Sequence, residues 1–208
     1  MRIFAEILAL YLLLFSSGMI LKPYPETLAF SAEAELFRLF AYTLPGLGLI
    51  GLLLFPQKPP PKPGVNDIAA CIICLPGLIL LGFAVSSIAG LLGRQPPSPR
   101  PETPESLWTW TALGTACLGT GYLEESFFRL YLTQRLEEAR LPRGKTVFVS
   151  TLLFACCHIY EGPWGVVNAA CAGLGLSAAF AKLKAVHGLA WAHGGYNIFV
   201  FALSSLLP

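Results

Sequence analysis

Charge is what this chain has least of. Asp, Glu, Lys and Arg make up 12% of its residues and hydrophobic residues 55%, whereas soluble domains carry roughly 25% charged residues. That balance excludes an ordinary soluble domain and implies a membrane protein. Aspartate is scarcer still: Asp67, which falls in an apparent loop, is the only one, so a catalytic aspartate pair cannot be assembled. HExxH is also missing, which removes the zinc-binding helix of many metalloproteases. The net charge is only +2 and the basic residues are scattered, which excludes nucleic acid as a partner. None of the six cysteines (Cys71, Cys74, Cys117, Cys156, Cys157, Cys171) lies where a secreted domain would be stapled; all fall in apolar runs and read as small hydrophobes. The CxxC of Cys71 and Cys74 lacks the electropositive, accessible setting that activates a thiol. No internal repeat is visible, which weighs against a transporter built from inverted repeats.

What the chain has in quantity is long apolar runs. Windows of about 20 residues place them at 3–21, 36–55, 68–92, 107–133, 144–160, 163–182 and 187–207. The expected fold is all-α, a polytopic transmembrane helix bundle of about seven spans, forming a single integral membrane domain over residues 1–208. The first run follows Arg2 like a signal peptide, but no small-x-small cleavage site comes after it, so it is expected to be a retained span. FPQKPPPKPGVND, GRQPPSPRPETPES and EEARLPRGK are rich in proline, glycine and charge and read as loops. Lys22 to Glu35 is too polar to span and is expected as a short interfacial helix. On alternate sides of a seven-span chain, Arg2, Lys58, Lys62, Arg135, Arg140, Arg143, Lys145, Lys182 and Lys184 fall on one side, and only Lys22, Arg94 and Arg100 on the other. The N-terminus is therefore expected in the cytoplasm.

Against this background EESFFR, residues 124–129, needs a cause. A charge at the centre of a membrane helix costs about 3 kcal/mol, so three uncompensated charges would oppose insertion by roughly 9 kcal/mol. Glu125 and Arg129 are four apart, on one helix face, and read first as a structural ion pair. Glu124 is rotated by about 100° and is left as the carboxylate free to act as a base. His158 in FACCH and Glu124 each lie 17 residues from Leu141. Two antiparallel helices joined there bring them to similar depth, as a pair able to activate water. Phe154, one turn from His158, can wall the site. His193 and Asn197 in HGGYN share a face, and both can donate to an oxyanion. Gly194 and Gly195 between them are expected to leave room for a substrate backbone. Loop counting sets His193 roughly 10 Å nearer one membrane face than His158, a mismatch for helix tilt to absorb. Asn168 is expected to hydrogen-bond between helices, His187 to be interfacial, and Trp108, Trp110 and Trp164 to form an aromatic belt. Glu137 and Glu138 with Arg135 and Arg140 read as a solvated helix end. Ser177 in GLSA is a weak candidate nucleophile, and Cys157 is expected on a different helix face from His158.

The ordered set EExxxR, FxxxH and HxxxN, present as EESFFR, FACCH and HGGYN at spacings of 34 and 35 residues, resembles the CPBP family of intramembrane proteases. These are the relatives of the CAAX prenyl endopeptidase, with bacteriocin-processing and self-immunity (Abi family) members. The resemblance covers residues 106–205, with 1–105 as generic N-terminal spans. It implies an intramembrane endopeptidase of glutamic type: Glu124 and His158 activate water, His193 and Asn197 stabilise the oxyanion, and Glu125, Arg129 and Phe154 support them. No cofactor is required by it; in a zinc-dependent variant Glu124, His158 and His193 would be the ligands. The expected partners are a membrane-associated peptide or protein, as in CAAX-type or leader and sorting-signal processing, and the lipid bilayer. The expected setting is a bacterial or archaeal cell membrane as a multi-pass protein, its oligomeric state left open. The competing reading is a non-catalytic immunity or scaffold protein that keeps the fold.

Overall fold

All seven apolar runs form helices in the computed structural model, which describes residues 2–19, 27–54, 61–93 and 100–206. α1 (Arg2–Phe15) runs into a 3-10 turn at Ser16–Met19. α2 (Ala32–Arg38), a π-helical turn (Leu39–Thr43) and α3 (Leu44–Leu54) make one rod, followed by α4 (Val65–Leu91). α5 (Leu107–Glu125), a second π-helical turn (Ser126–Tyr131) and α6 (Leu132–Glu138) make another; then come α7 (Arg143–Cys156), α8 (Gly162–Leu183) and α9 (Val186–Leu206). A two-residue parallel pairing joins β1 (Thr27–Leu28) to β2 (Arg100–Pro101). The interfacial helix expected over 22–35 is absent from its described part: 27–28 pair with β2 and helix begins only at Ala32. Residues 20–26, Lys58 and Arg94 lie outside the described residues.

Local chemistry sets the helix ends. The Ser31 and Ser106 hydroxyls accept the N–H groups of Ala34 and Thr109, each at 3.1 Å, as N-caps do. Asp67 is not in a loop but in the first turn of α4, where its carboxylate accepts from Gly64 N–H and, across the bundle, from Gly188 N–H, both at 2.9 Å. An acid in a first turn also complements the helix dipole. α8 starts with Pro163 in its first turn and ends on Lys184 in the left-handed conformation (φ 54°), the two ends that such residues and conformations favour.

Among the described residues, four helical stretches are long and apolar enough to cross a membrane: Arg2–Met19, Ala32–Leu54, Val65–Leu91 and Ile159–Leu183. The other three are those that carry the motifs. α7, with 14 residues, is about 21 Å long, short of the roughly 30 Å hydrocarbon core, and α5 and α9 are diluted by threonine, glycine, glutamate, histidine and asparagine. Phe37, Leu52, Ile72 and Leu80 present most of their surface outward, as lipid-facing residues do. The chain is an all-α integral membrane protein.

Inside, Tyr11 and Phe15 of α1 meet Phe127, Phe128 and Tyr131 of the π-helical turn; Phe15 lies 5.0 Å from Phe127 and Phe128 5.1 Å from Phe154, ring centre to ring centre. A second cluster joins Leu78 of α4, Leu176 and Phe180 of α8 and Leu189 of α9. Arg135 is not merely at a solvated helix end: it pairs with Glu6 at 2.6 Å, Tyr131 donates to the same carboxylate at 2.8 Å, and Arg135 also pairs with Glu138. That link ties α1 to α6.

Candidate active site

Glycine brings α5 and α9 together at the level of the acidic pair. A methyl on Gly121 would lie 2.6 Å from the Ala190 carbonyl oxygen and 2.8 Å from Gly194 N, and one on Gly194 would lie 2.8 Å from Leu118 Cα. Only small residues permit such an approach. Gly194 therefore faces α5, and Gly195 faces Leu75 of α4; neither is open to a substrate backbone, because the helix faces they clear are filled by neighbouring helices.

This crossing sets His193 against both glutamates. Its Nδ1 lies 3.1 Å from Glu125 Oε1, and its Nε2 lies 3.8 Å from Glu124 Oε2. Glu125 in turn accepts from Arg129 Nε at 2.9 Å, the i,i+4 pair expected from the sequence. Both side chains are almost completely buried (0% and 1% exposed). Arg129 Nη1 donates to Ser150 on α7 at 3.0 Å and to Ser177 on α8 at 3.2 Å, so one guanidinium joins three helices. Ser177 is thereby a hydrogen-bond partner of Arg129.

Phe154 packs among the candidate site residues. Its ring is buried, 4.7 Å from the His158 ring, 5.8 Å from the His193 ring and 5.3 Å from the Arg129 guanidinium carbon. Both histidines thus reach one aromatic residue. α7 stops at Cys156, and His158 lies in the turn beyond it, not on a through-going helix. Its Nδ1 lies 2.7 Å from the Phe154 carbonyl oxygen; since a carbonyl only accepts, Nδ1 carries a proton, and in the neutral ring the lone pair falls on Nε2. The same helix end brings Cys157 Sγ within 3.4 Å of His158 Nδ1, against the expectation that the two diverge.

Glu124 stands apart. Its Oε2 is buried and has no hydrogen-bond partner among the described residues, and no hydrogen bond or ion pair joins it to His158. His193 Nε2, 3.8 Å from Glu124 Oε2, is too far for a direct bond but able to share a water lying to one side of the line between them. Asn197 follows His193 by one turn and makes no hydrogen bond among the described residues. Among those residues no three His, Cys, Asp or Glu side chains form a group that could hold a metal ion; Glu124, His158 and His193 as arranged do not fit one.

Several partners carried no sequence signal. Ser150 looked like any helix serine, and the π-helical turn that begins directly after Glu125 interrupts a pattern that reads as regular helix; such turns recur at functional sites. Asn168 does bond between helices, donating to Tyr196 Oη at 3.2 Å, and His187 lies 2.9 Å from the Pro61 carbonyl oxygen.

No curated protein and no solved structure matches the chain. The model of the family described as Type II CAAX prenyl endopeptidase Rce1-like matches residues 106–199, the stretch that holds Glu124, Phe154, His158, His193 and Asn197. That stretch, a little under half of the chain, is similar to the Rce1-like proteins, which belong to the CPBP family.

Proposed function

We propose that the chain hydrolyses a peptide bond of a membrane-associated peptide or protein with water activated by Glu124. The match of residues 106–199 to the Rce1-like family supports an intramembrane endopeptidase in general. The observation that carries the finer reading is the buried, unpartnered Glu124 Oε2, 3.8 Å from His193 Nε2. An orphaned buried carboxylate oxygen is costly and asks for a ligand, and a water there is what a general base needs.

In the proposed reaction Glu124 takes a proton from that water, and the resulting hydroxide attacks the scissile carbonyl carbon. His158 Nε2, the free lone pair of its ring, orients the water. The carbonyl oxygen becomes an oxyanion and accepts hydrogen bonds from the Asn197 amide and from Nε2 of His193, which acts as an imidazolium because its Nδ1 proton is hydrogen-bonded to Glu125. When the C–N bond breaks, the proton on Glu124 passes to the leaving nitrogen. Glu125 acts through His193, which it holds by Nδ1, and Arg129 pairs with Glu125 inside the bundle. No cofactor enters these steps. The setting is a bacterial or archaeal cell membrane with the N-terminus in the cytoplasm, and the substrate class is CAAX-type C-termini or leader and sorting segments.

The test is processing of candidate membrane-tethered peptides by the purified chain in oxygen-18 water, with and without a chelator. One heavy oxygen in the new carboxylate, no transfer to added hydroxylamine and indifference to chelator support a direct attack by water. Capture by hydroxylamine would put a covalent acyl intermediate in its place, and loss of activity with chelator would put a metal there.

A further inference from the structure

Arg129 has five N–H donors. Those on Nε and Nη1 reach Glu125, Ser150 and Ser177, but Nη2 is buried and has no partner among the described residues. Beside it lies a cavity of about 90 Å³ that includes none of Glu124, His158, His193 or Asn197. At about 10–15 Å³ for a water position, that is room for several waters or one small oxyanion. The lining comes from the second π-helical turn, α6, α7, α8 and the residue that ends α8, with Ser150, Ser177 and Arg129 toward the interior and Arg143, Lys184 and Glu137 exposed at the rim. Seven residues of helix separate Ser150 from Arg143 and Ser177 from Lys184, so the floor is roughly 10 Å below the rim.

The unspent hydrogen-bonding groups here are donors. The hydroxyls of Ser150, Thr146 and Thr133 are within reach of the carbonyl oxygens of Phe128, Pro142 and Phe128. Ser177 accepts from Arg129, and its own O–H has no acceptor among the described residues. With Arg129 balanced by Glu125, the lining still holds Arg143 and Lys184 against Glu137 alone. Lys184 is held at the rim by its left-handed backbone and by its ammonium 5.0 Å from the centre of the Phe180 ring. A floor of free donors under two cations selects an anion with several acceptor oxygens.

We propose that this cavity is a binding site for a phosphate group, seated on Arg129 Nη2 and the Ser177 hydroxyl with Arg143 and Lys184 across its mouth. The mouth lies at helix ends, the level of lipid headgroups, where basic pockets between membrane helices bind phosphate. A lipid headgroup and free phosphate share this chemistry.

The test uses the full chain purified in detergent and reads binding alone, so it stands or falls independently of the peptidase proposal. Inorganic phosphate, titrated at constant ionic strength against chloride, is expected to raise the thermal midpoint saturably. Arg143→Gln with Lys184→Gln should weaken the apparent affinity at least about tenfold, and Glu137→Gln, which removes the opposing charge, should tighten it. In parallel, native mass spectrometry compares retention of phosphatidylglycerol and phosphatidylcholine. Selective retention of phosphatidylglycerol, displaced by phosphate, identifies the headgroup as the source; saturation by phosphate without lipid selectivity identifies the free ion. Absence of both in the wild-type chain, or saturation that none of the three substitutions shifts, would overturn the proposal and leave a water-filled cavity.

Discussion

Replacing Gly121 by alanine asks whether the crossing of α5 and α9 sets the geometry of the site. The added methyl would lie 2.6 Å from the Ala190 carbonyl oxygen, 2.8 Å from Gly194 N and 3.2 Å from Gly194 Cα. All three are backbone atoms, and none can rotate aside. Ordinary contacts begin at about 3.5 Å, so the helices must part by roughly 0.9 Å. Overpacking of this kind costs about 1–3 kcal/mol. The same displacement stretches the contact between His193 Nδ1 and Glu125, now 3.1 Å, to about 4 Å, beyond hydrogen-bond range. A misplacement of that size costs about 10²-fold in rate. The assay pairs the thermal midpoint of the detergent-purified chain with kcat/KM on a reporter peptide. Gly114→Ala, on the same helix, is the control, because its methyl meets only Ile198 Cδ1 at 3.8 Å and should change neither quantity. A Gly121→Ala chain with wild-type midpoint and rate would show that the crossing does not position His193.

Arg129→Met strands the Glu125 charge in the bundle and should cost about 3–5 kcal/mol in a reversible unfolding assay, whereas adding Glu125→Gln should restore most of that loss; no recovery in the double variant would mean that the pair is not what the arginine stabilises. Phe154→Ala removes the ring between both histidines and Arg129 and should destabilise by about 3–5 kcal/mol, with Phe154→Leu milder in the same assay; equal effects from the two would deny the ring its part in packing. The pair of Glu6 and Arg135 is about a quarter exposed (29% and 24%), so a double-mutant cycle should yield no more than about 1 kcal/mol of coupling; a value several times larger would place that pair in a drier setting than the helix end.

The sequence was most legible where one physical constraint acts alone. Apolar length placed all seven helices, because each bilayer-facing residue answers to lipid whatever its neighbours do. The i,i+4 spacing found the Glu125–Arg129 pair because it depends on one helix only. What escaped notice depends on how helices meet. Gly194 and Gly195 looked like clearance for a substrate, but Gly121, seventy-odd residues earlier, takes up that space at Gly194. His193 looked like an oxyanion donor independent of the glutamates, and nothing within HGGYN shows that its Nδ1 meets Glu125. Ser150 and Ser177 become the arginine's partners only once α7 and α8 have packed. The end of α7 at Cys156 was hidden by an apolar run that continues past it, and that end is what turns His158 toward Phe154.

Whether the Glu124 carboxylate takes the proton from water is tested most directly by the single-turnover rate of Glu124→Gln, an amide of the same shape that cannot act as the base. The account predicts a fall of about 10²–10⁴-fold in that rate, with substrate affinity and thermal midpoint unchanged. A Glu124→Gln chain that cleaves within about threefold of wild type, outside the range for a lost general base, would contradict it.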